Sequence, residues 1–337
     1  MKRSTWGWIR RLAPWVVTIA TIGWLLWRYS PGAIAAEMAR GSLGMVIPWA
    51  VVASLASVPL MSLADFLVFR RALGAEGARR LSWWHVTRGR AGTTMLTALG
   101  YALSTGGYGV WLARRTRVGA ARSVSAIVYQ MVADVSAVCW LALVAALIGG
   151  QYLPVEARVP VVVVAGAFGV GLAALALIGP RAVPRRWRES RVLSAWTAVD
   201  PGTWAISLVF RIATIAMNIA ATWQAARVFG LDIPLGAMAA CLPVVLLVAS
   251  LPVNVAGLGA VQGVWVALFH QYAPGAQLLA FQFLYAGLTM AMYVVRGAPF
   301  LPGVMKDLAP DASESATDVA GDHVVDSDRG PEPSVAA

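Results

Sequence analysis

The sequence predicts an all-α integral membrane protein with six transmembrane helices and two re-entrant helical hairpins, arranged as an inverted-topology repeat. Three observations carry this prediction. The chain of 337 residues is 59% hydrophobic and only 13% charged, a balance that belongs to polytopic membrane proteins. Six long apolar runs alternate with two shorter, glycine-rich ones. Arginines gather between alternate runs, which assigns each run a direction across the bilayer.

Residues 1–11 form a basic cytoplasmic N-terminus carrying Lys2, Arg3, Arg10 and Arg11. The first apolar run ends at Trp27-Arg28-Tyr29, an interfacial anchor, so it is expected to remain as an uncleaved first helix. Long apolar spans follow one another at about 12–29, 44–69, 123–149, 158–180, 204–229 and 277–301. The shorter segments occupy about 91–111 and 235–270. In the second, two runs of roughly 15–17 residues flank Pro252, Gly257 and Gly259. At about 1.5 Å per residue each reaches roughly 22–25 Å, short of a hydrocarbon core of about 30 Å. A break at that depth is tolerated only where protein or a wet cavity satisfies the backbone.

Charge decides which side each hairpin enters. Arg70, Arg71, Arg79, Arg80, Arg88 and Arg90 precede the first segment, and Arg114, Arg115, Arg117 and Arg122 follow it. A crossing would expose one of these clusters outside, so the first hairpin enters and leaves on the cytoplasmic side. The second has weakly charged flanks and enters from outside. Both termini are then cytoplasmic. The excess of basic residues is met by anionic lipid and not by nucleic acid, because it lies between apolar spans.

Two halves result, 12–149 and 150–303, of opposite sense, with Gly107-Tyr108-Gly109 as the inward counterpart of Gly257-Leu258-Gly259. In transporters built this way, the substrate site forms where broken helices meet near the midplane. The connector at 181–203 carries Arg181, Arg185, Arg186, Arg188 and Arg191, and its Trp187, Trp196 and Trp204 are expected along the headgroups. Residues 304–337 form an acidic cytoplasmic tail with too little apolar content to fold.

Leu251-Pro252 through Gly257-Leu258-Gly259, then Gln262, and Leu301-Pro302-Gly303 closing the last helix, resemble the membrane domain of lysylphosphatidylglycerol synthase. This is the flippase-like domain of the multiple peptide resistance factor and of stand-alone bacterial homologues. The resemblance covers the apolar architecture over about residues 10–305. It implies lipid translocation between leaflets, here without a synthase domain, in the bacterial inner membrane. Gln262 stands where that family's second-half pattern has an acid, and Val110 stands at the first-half acid position.

Candidate lipid-cavity residues are Asp134, Arg211, Asn218, Asn254 and Gln262. Asp134 lies near mid-depth of its span, where an ionisable group is costly and faces the interior. It contacts a proton or headgroup, or else pairs structurally, with Arg211 as the partner. Arg211 either meets a lipid phosphate or takes part in that pair. Asn218 reads as interhelical glue. Asn254 and Gln262 bracket the outer elbow, where turning backbone and amides receive an anion or satisfy the break itself. The elbows are placed at Gly107, Gly109, Pro252, Gly257 and Gly259. Asp65 is expected to pair with Arg70 at the interface. Cys139 and Cys241 lie in apolar runs and indicate no disulfide; His85, His270 and His323 are scattered. No catalytic residues, cofactor or metal are expected, and the foreseen partners are membrane lipids and, for aminoacyl-lipid synthesis, a separate enzyme.

Overall fold

The computed structural model describes residues 3–98, 101–177, 194–250 and 258–308, and these are helical almost throughout. Helix α1 (Arg3–Tyr29) leads into a short α2 (Pro31–Arg40), started by Ser30, whose Oγ accepts the Ala33 N–H, with proline at the first helical position. Helix α3 (Leu43–Ala72) contains Pro48 and Pro59. The Trp83 indole N–H donates to the Pro59 carbonyl at 3.2 Å and ties the chain at Trp83 back to α3. A single turn, α4 (Gly74–Arg79), precedes a broken helix made of α5 (Trp83–Thr94), a 3-10 turn at Met95–Ala98, and α6 (Tyr101–Thr116).

Two long helices follow, α7 (Ala120–Ile148) and α8 (Val155–Leu177). Helix α7 buries Ser123, Ser125, Ala126, Ala133, Ser136, Ala137 and Ala142. Small residues let helices approach closely where lipid supplies no hydrophobic drive between them. After α9 (Ser194–Ala198), Asp200 caps α10 (Pro201–Phe229) by accepting the Thr203 N–H at 2.9 Å. Gly230 ends it in the left-handed region at φ 99°, with Leu231 N–H returning to the Ala226 carbonyl. A second broken helix consists of α11 (Leu235–Ala249) and α12 (Ala260–Phe269), and the chain closes with α13 (Gly275–Gly297), a 3-10 turn at Ala298–Phe300, and α14 (Leu301–Leu308).

Among the described residues, five segments are long and apolar enough to cross a membrane: Leu43–Ala72, Ala120–Ile148, Val155–Leu177, Pro201–Phe229 and Gly275–Leu308. Within each broken helix the two limbs pack on each other, and α3 packs extensively along α10. Buried apolar side chains form two clusters. One, drawn mainly from α3, α5, α6, α7 and α9 with single residues of α8, α10 and α14, includes Phe69, Trp111, Leu112 and Tyr129. The other joins α10 to α13 with residues of α1, α2, α3, α7 and α8 and includes Trp265, Phe269 and Phe281.

Several expectations need correction. Gly107 and Gly109 lie inside α6 and form no elbow; the break comes earlier, where α5 passes into the Met95–Ala98 turn. Gly107 serves packing instead, since a Cβ there would come within 3.0 Å of Leu96, whereas a Cβ at Gly109 would meet Ile127 at an ordinary 3.6 Å. Trp196 and Trp204 are buried within the protein and do not lie along headgroups, with Trp196 edge-on to Tyr129 at 5.0 Å. Helix α14 continues to Leu308, so the first residues assigned to the tail are folded. Pro252, Asn254 and Gly257, like Trp187, lie outside the described residues.

Candidate functional site

The chain buries a group of charges where α3, α5, α6, α7 and α10 converge. Asp65, in α3, is fully buried. One carboxylate oxygen accepts from Arg211 Nη2 at 2.8 Å. The other accepts from Arg90 Nη1 and from the Tyr108 hydroxyl, the latter at 3.3 Å. Arg211, in α10, is also fully buried and places Nη1 against Asp134 of α7. Its Nε donates to Ser207 Oγ at 3.2 Å. Gln130 donates its amide to Asp134.

Local sequence explains how these groups are held. Ser207 and Arg211, and likewise Gln130 and Asp134, stand four residues apart on one helix and so share a face. Tyr108 is fixed by a stack on Trp111, with centroids 5.7 Å apart, and Trp111 in turn fills the space over Gly89. A Cβ at Gly89 would lie 2.5 Å from that indole, so only glycine lets α5 and α6 approach this closely. The approach carries Arg90 inward. Ser104 Oγ donates to the Thr93 carbonyl at 2.9 Å, satisfying backbone at the end of α5.

Two carboxylates face two guanidiniums, so the cluster is formally neutral. Exposure is graded across it: Asp65 and Arg211 are at 0%, Asp134 at 19% and Arg90 at 20% by side chain. Neutrality and mutual hydrogen bonding are what permit charges at such a depth.

The site residues foreseen from sequence divide accordingly. Asp134 and Arg211 meet as the proposed pair. All three Arg211 nitrogens face protein acceptors, so in this conformation it offers no edge to a lipid phosphate. Asp65 does not pair with Arg70, whose guanidinium lies over Phe66 instead; Asp65 belongs to the central cluster. Asn218 lies outside the cluster and donates to the Thr214 carbonyl of its own helix at 2.8 Å. Gln262 is buried, and its Oε1 accepts the Gly259 N–H at 2.6 Å, capping α12. Gly259 has φ 114° and lies where a Cβ would meet Thr18 Oγ1 at 2.8 Å, so α1 closes directly over this break. Arg90, Tyr108, Gln130 and Ser207 were not foreseen as site residues. The polar pairs Gln130/Asp134 and Ser207/Arg211, one turn apart inside apolar helices, were the available signal. Among the described residues no group of His, Cys, Asp and Glu is gathered as metal ligands.

A second polar cluster lies beside α14. Asp307 accepts from Arg88 at 3.1 Å, from the Trp111 indole at 3.0 Å and from Arg115 at 3.5 Å. Arg115 Nη2 also meets His85 Nε2 at 2.7 Å, while His85 Nδ1 lies 2.9 Å from Ser82 Oγ. A neutral imidazole with its proton on Nδ1 satisfies these two contacts but not the Ser82 N–H, which approaches the same nitrogen at 3.3 Å.

Long apolar helices around a neutral, buried ion cluster, with two helices interrupted beside the packed bundle, define a polytopic α-helical membrane protein with an internal polar site. The family model for the lysylphosphatidylglycerol synthase TM region matches residues 12–297. The chain belongs to that family. No curated protein matches it.

Proposed function

We propose that this protein moves a phospholipid or other amphiphilic envelope lipid between the leaflets of a bacterial inner membrane, without enzymatic chemistry of its own. In this reading the chain crosses six times, with α1 as the first crossing and both termini cytoplasmic. The halves 12–149 and 150–303 are inverted repeats, and the broken helices α5–α6 and α11–α12 are re-entrant. Support comes from helix order, since each half reads long, long, broken, long. The sidedness of the arginines and membership of the family agree with it.

The observation that carries the reading is the cluster of Asp65, Asp134, Arg90 and Arg211 beside the first broken helix. Ionisable groups inside a membrane domain are expensive and mark pathways. Here they form a self-satisfied resting state. A headgroup phosphate entering beside the more exposed Asp134 would exchange with that carboxylate on Arg211, and the neutral network would reform behind the departing lipid.

The test is reconstitution of the protein in liposomes with fluorescent phosphatidylglycerol, following transbilayer movement by quenching of the outer leaflet. A rate above protein-free vesicles, lost in Arg211→Gln, is the expected result. Equal rates with and without protein would remove translocation as the function.

Complete pairing of Arg211 favours a second reading, in which the domain is a scaffold or membrane subunit for an envelope-lipid or glycan-assembly enzyme, or for an aminoacyl-phospholipid synthase. The cluster would then only hold helices together. Simultaneous Asp134→Asn and Arg211→Gln would leave activity of the assembly intact if the protein inserts normally.

A further inference from the structure

The four central charges balance one another, but a fifth does not. Arg296 lies in the last turn of α13, against α3. Its Nη1 donates to the Ser54 carbonyl at 2.8 Å, to Ser54 Oγ at 3.0 Å and to Ser57 Oγ at 3.4 Å. The Tyr293 ring covers its guanidinium carbon at 4.6 Å. All of these partners are uncharged. Among the described residues no carboxylate forms an ion pair with Arg296, and Arg90 is already bound to Asp65.

The guanidinium is also only half used. Every hydrogen bond it makes among the described residues comes from Nη1. Nε is buried without a partner. The Nε–Nη2 edge is therefore unpaired, and this edge carries two parallel N–H groups matched to two oxygens of a phosphate. Depth adds to the argument. Ser54 stands 11 residues from the start of α3, roughly 17 Å along its axis, well inside an apolar span. A cation held there by neutral oxygens alone is costly unless an anion completes it.

We propose that the Nε–Nη2 edge of Arg296, in the seam between α3 and α13, is an anion site that takes a phosphate oxyanion, carried by a lipid headgroup or by free phosphate. Ser54, Ser57 and Tyr293 fix the guanidinium through Nη1 and its face and leave this edge without a protein partner. The site is separate from the Asp65 cluster. It makes a claim about binding only, and so stands or falls independently of whether lipid crosses the membrane.

The test uses the full chain in detergent, with retained lipid counted by native mass spectrometry. Phosphatidylglycerol is compared with diacylglycerol of the same tails, and inorganic phosphate binding is followed in parallel by equilibrium dialysis. Wild type is expected to retain phosphatidylglycerol over diacylglycerol. Arg296→Gln should weaken this on the order of ten- to a hundredfold, the range for losing charge-assisted hydrogen bonds. Arg296→Lys, which keeps the charge but not the fork, should fall between. Loss of inorganic phosphate binding in the variant, with no preference for phosphatidylglycerol in wild type, assigns the site to the free ion. Unchanged binding of both probes in Arg296→Gln and Arg296→Lys overturns the proposal. Should the variants fail to fold, phosphatidylglycerol with a photoreactive headgroup is applied to wild type, with and without excess inorganic phosphate. Phosphate-sensitive labelling of peptides holding Ser54–Ser57 or Tyr293–Arg296 supports the site, and labelling elsewhere only, or none, overturns it.

Discussion

Replacing Asp65 by Asn removes a charge while nearly preserving shape, and so probes how the buried cluster holds the helices. Asp65 is fully buried between Arg211 and Arg90. Its loss leaves Asp134 alone against two guanidiniums, a net positive charge in the interior. Breaking a buried pair by removing one partner costs about 3–5 kcal/mol. Two features favour the lower end: Arg211 keeps Asp134, and Arg90 is 20% exposed and can turn toward water. We therefore expect a loss of about 3 kcal/mol. Asp134→Asn should cost less, about 1–2 kcal/mol, because Asp134 is 19% exposed and Arg211 keeps Asp65. The exposed pair Arg71–Asp200, at 63% and 48% side-chain exposure, provides the control, and Arg71→Gln should cost below about 1 kcal/mol.

Cys139 and Cys241 are buried free thiols, so a thiol-reactive fluorophore reports unfolding directly in mixed-micelle titrations. The double variant Asp65→Asn, Arg211→Gln should recover about 2–3 kcal/mol relative to the sum of the single changes, since the two side chains act on each other. An Asp65→Asn protein no less stable than the Arg71→Gln control would refute the reasoning. Strict additivity in the double variant would refute it equally.

Acid should loosen the α14 latch. Burial first, then the Arg115 and Arg88 charges, hold His85 below its ordinary pKa of 6.5, with Asp307 opposing them. The folded state then binds its proton less readily than the released state. Stability from this contact is complete above 6.5 and is lost as pH falls below it. Hydrogen exchange in α14, corrected for its intrinsic pH dependence, should rise from about pH 7.5 to about pH 5.5, and His85→Gln should flatten that rise. Gln262→Ala removes the acceptor of the Gly259 N–H and should cost about 1–2 kcal/mol, whereas Gln262→Glu keeps it and should stay within about 1 kcal/mol of wild type in the same titration. Gly89→Ala forces a Cβ against Trp111 and should cost about 1–3 kcal/mol; an unchanged midpoint would mean that α5 and α6 separate freely.

Helix order was largely readable because hydropathy is a local property. A run of apolar residues is apolar whatever it packs against, and arginines next to it set its direction independently of the interior. Prolines and glycines announced that the second short segment would break near Gly259. They misled in the first, where Gly107 and Gly109 are helical and Gly107 makes room for Leu96. A glycine reads the same in sequence whether it turns a chain or admits a neighbour.

By itself, the sequence determined that this is a helical membrane protein, where its long helices run, and that Asp134 and Arg211 fall inside apolar spans. Only the tertiary structure decided which residues they pair with. Asp65 and Arg211 stand 146 residues apart and meet because α3 packs along α10. Asp65 lies five residues from Arg70, and nearness in the chain favoured that pairing. A residue five positions along a helix is rotated to another face, however, whereas a residue on an adjacent helix can face it directly. The same reason hides Arg90 and Arg296 from a linear reading. Both sit near helix ends where arginines ordinarily reach water, and helix packing alone turns one toward Asp65 and the other toward Ser54.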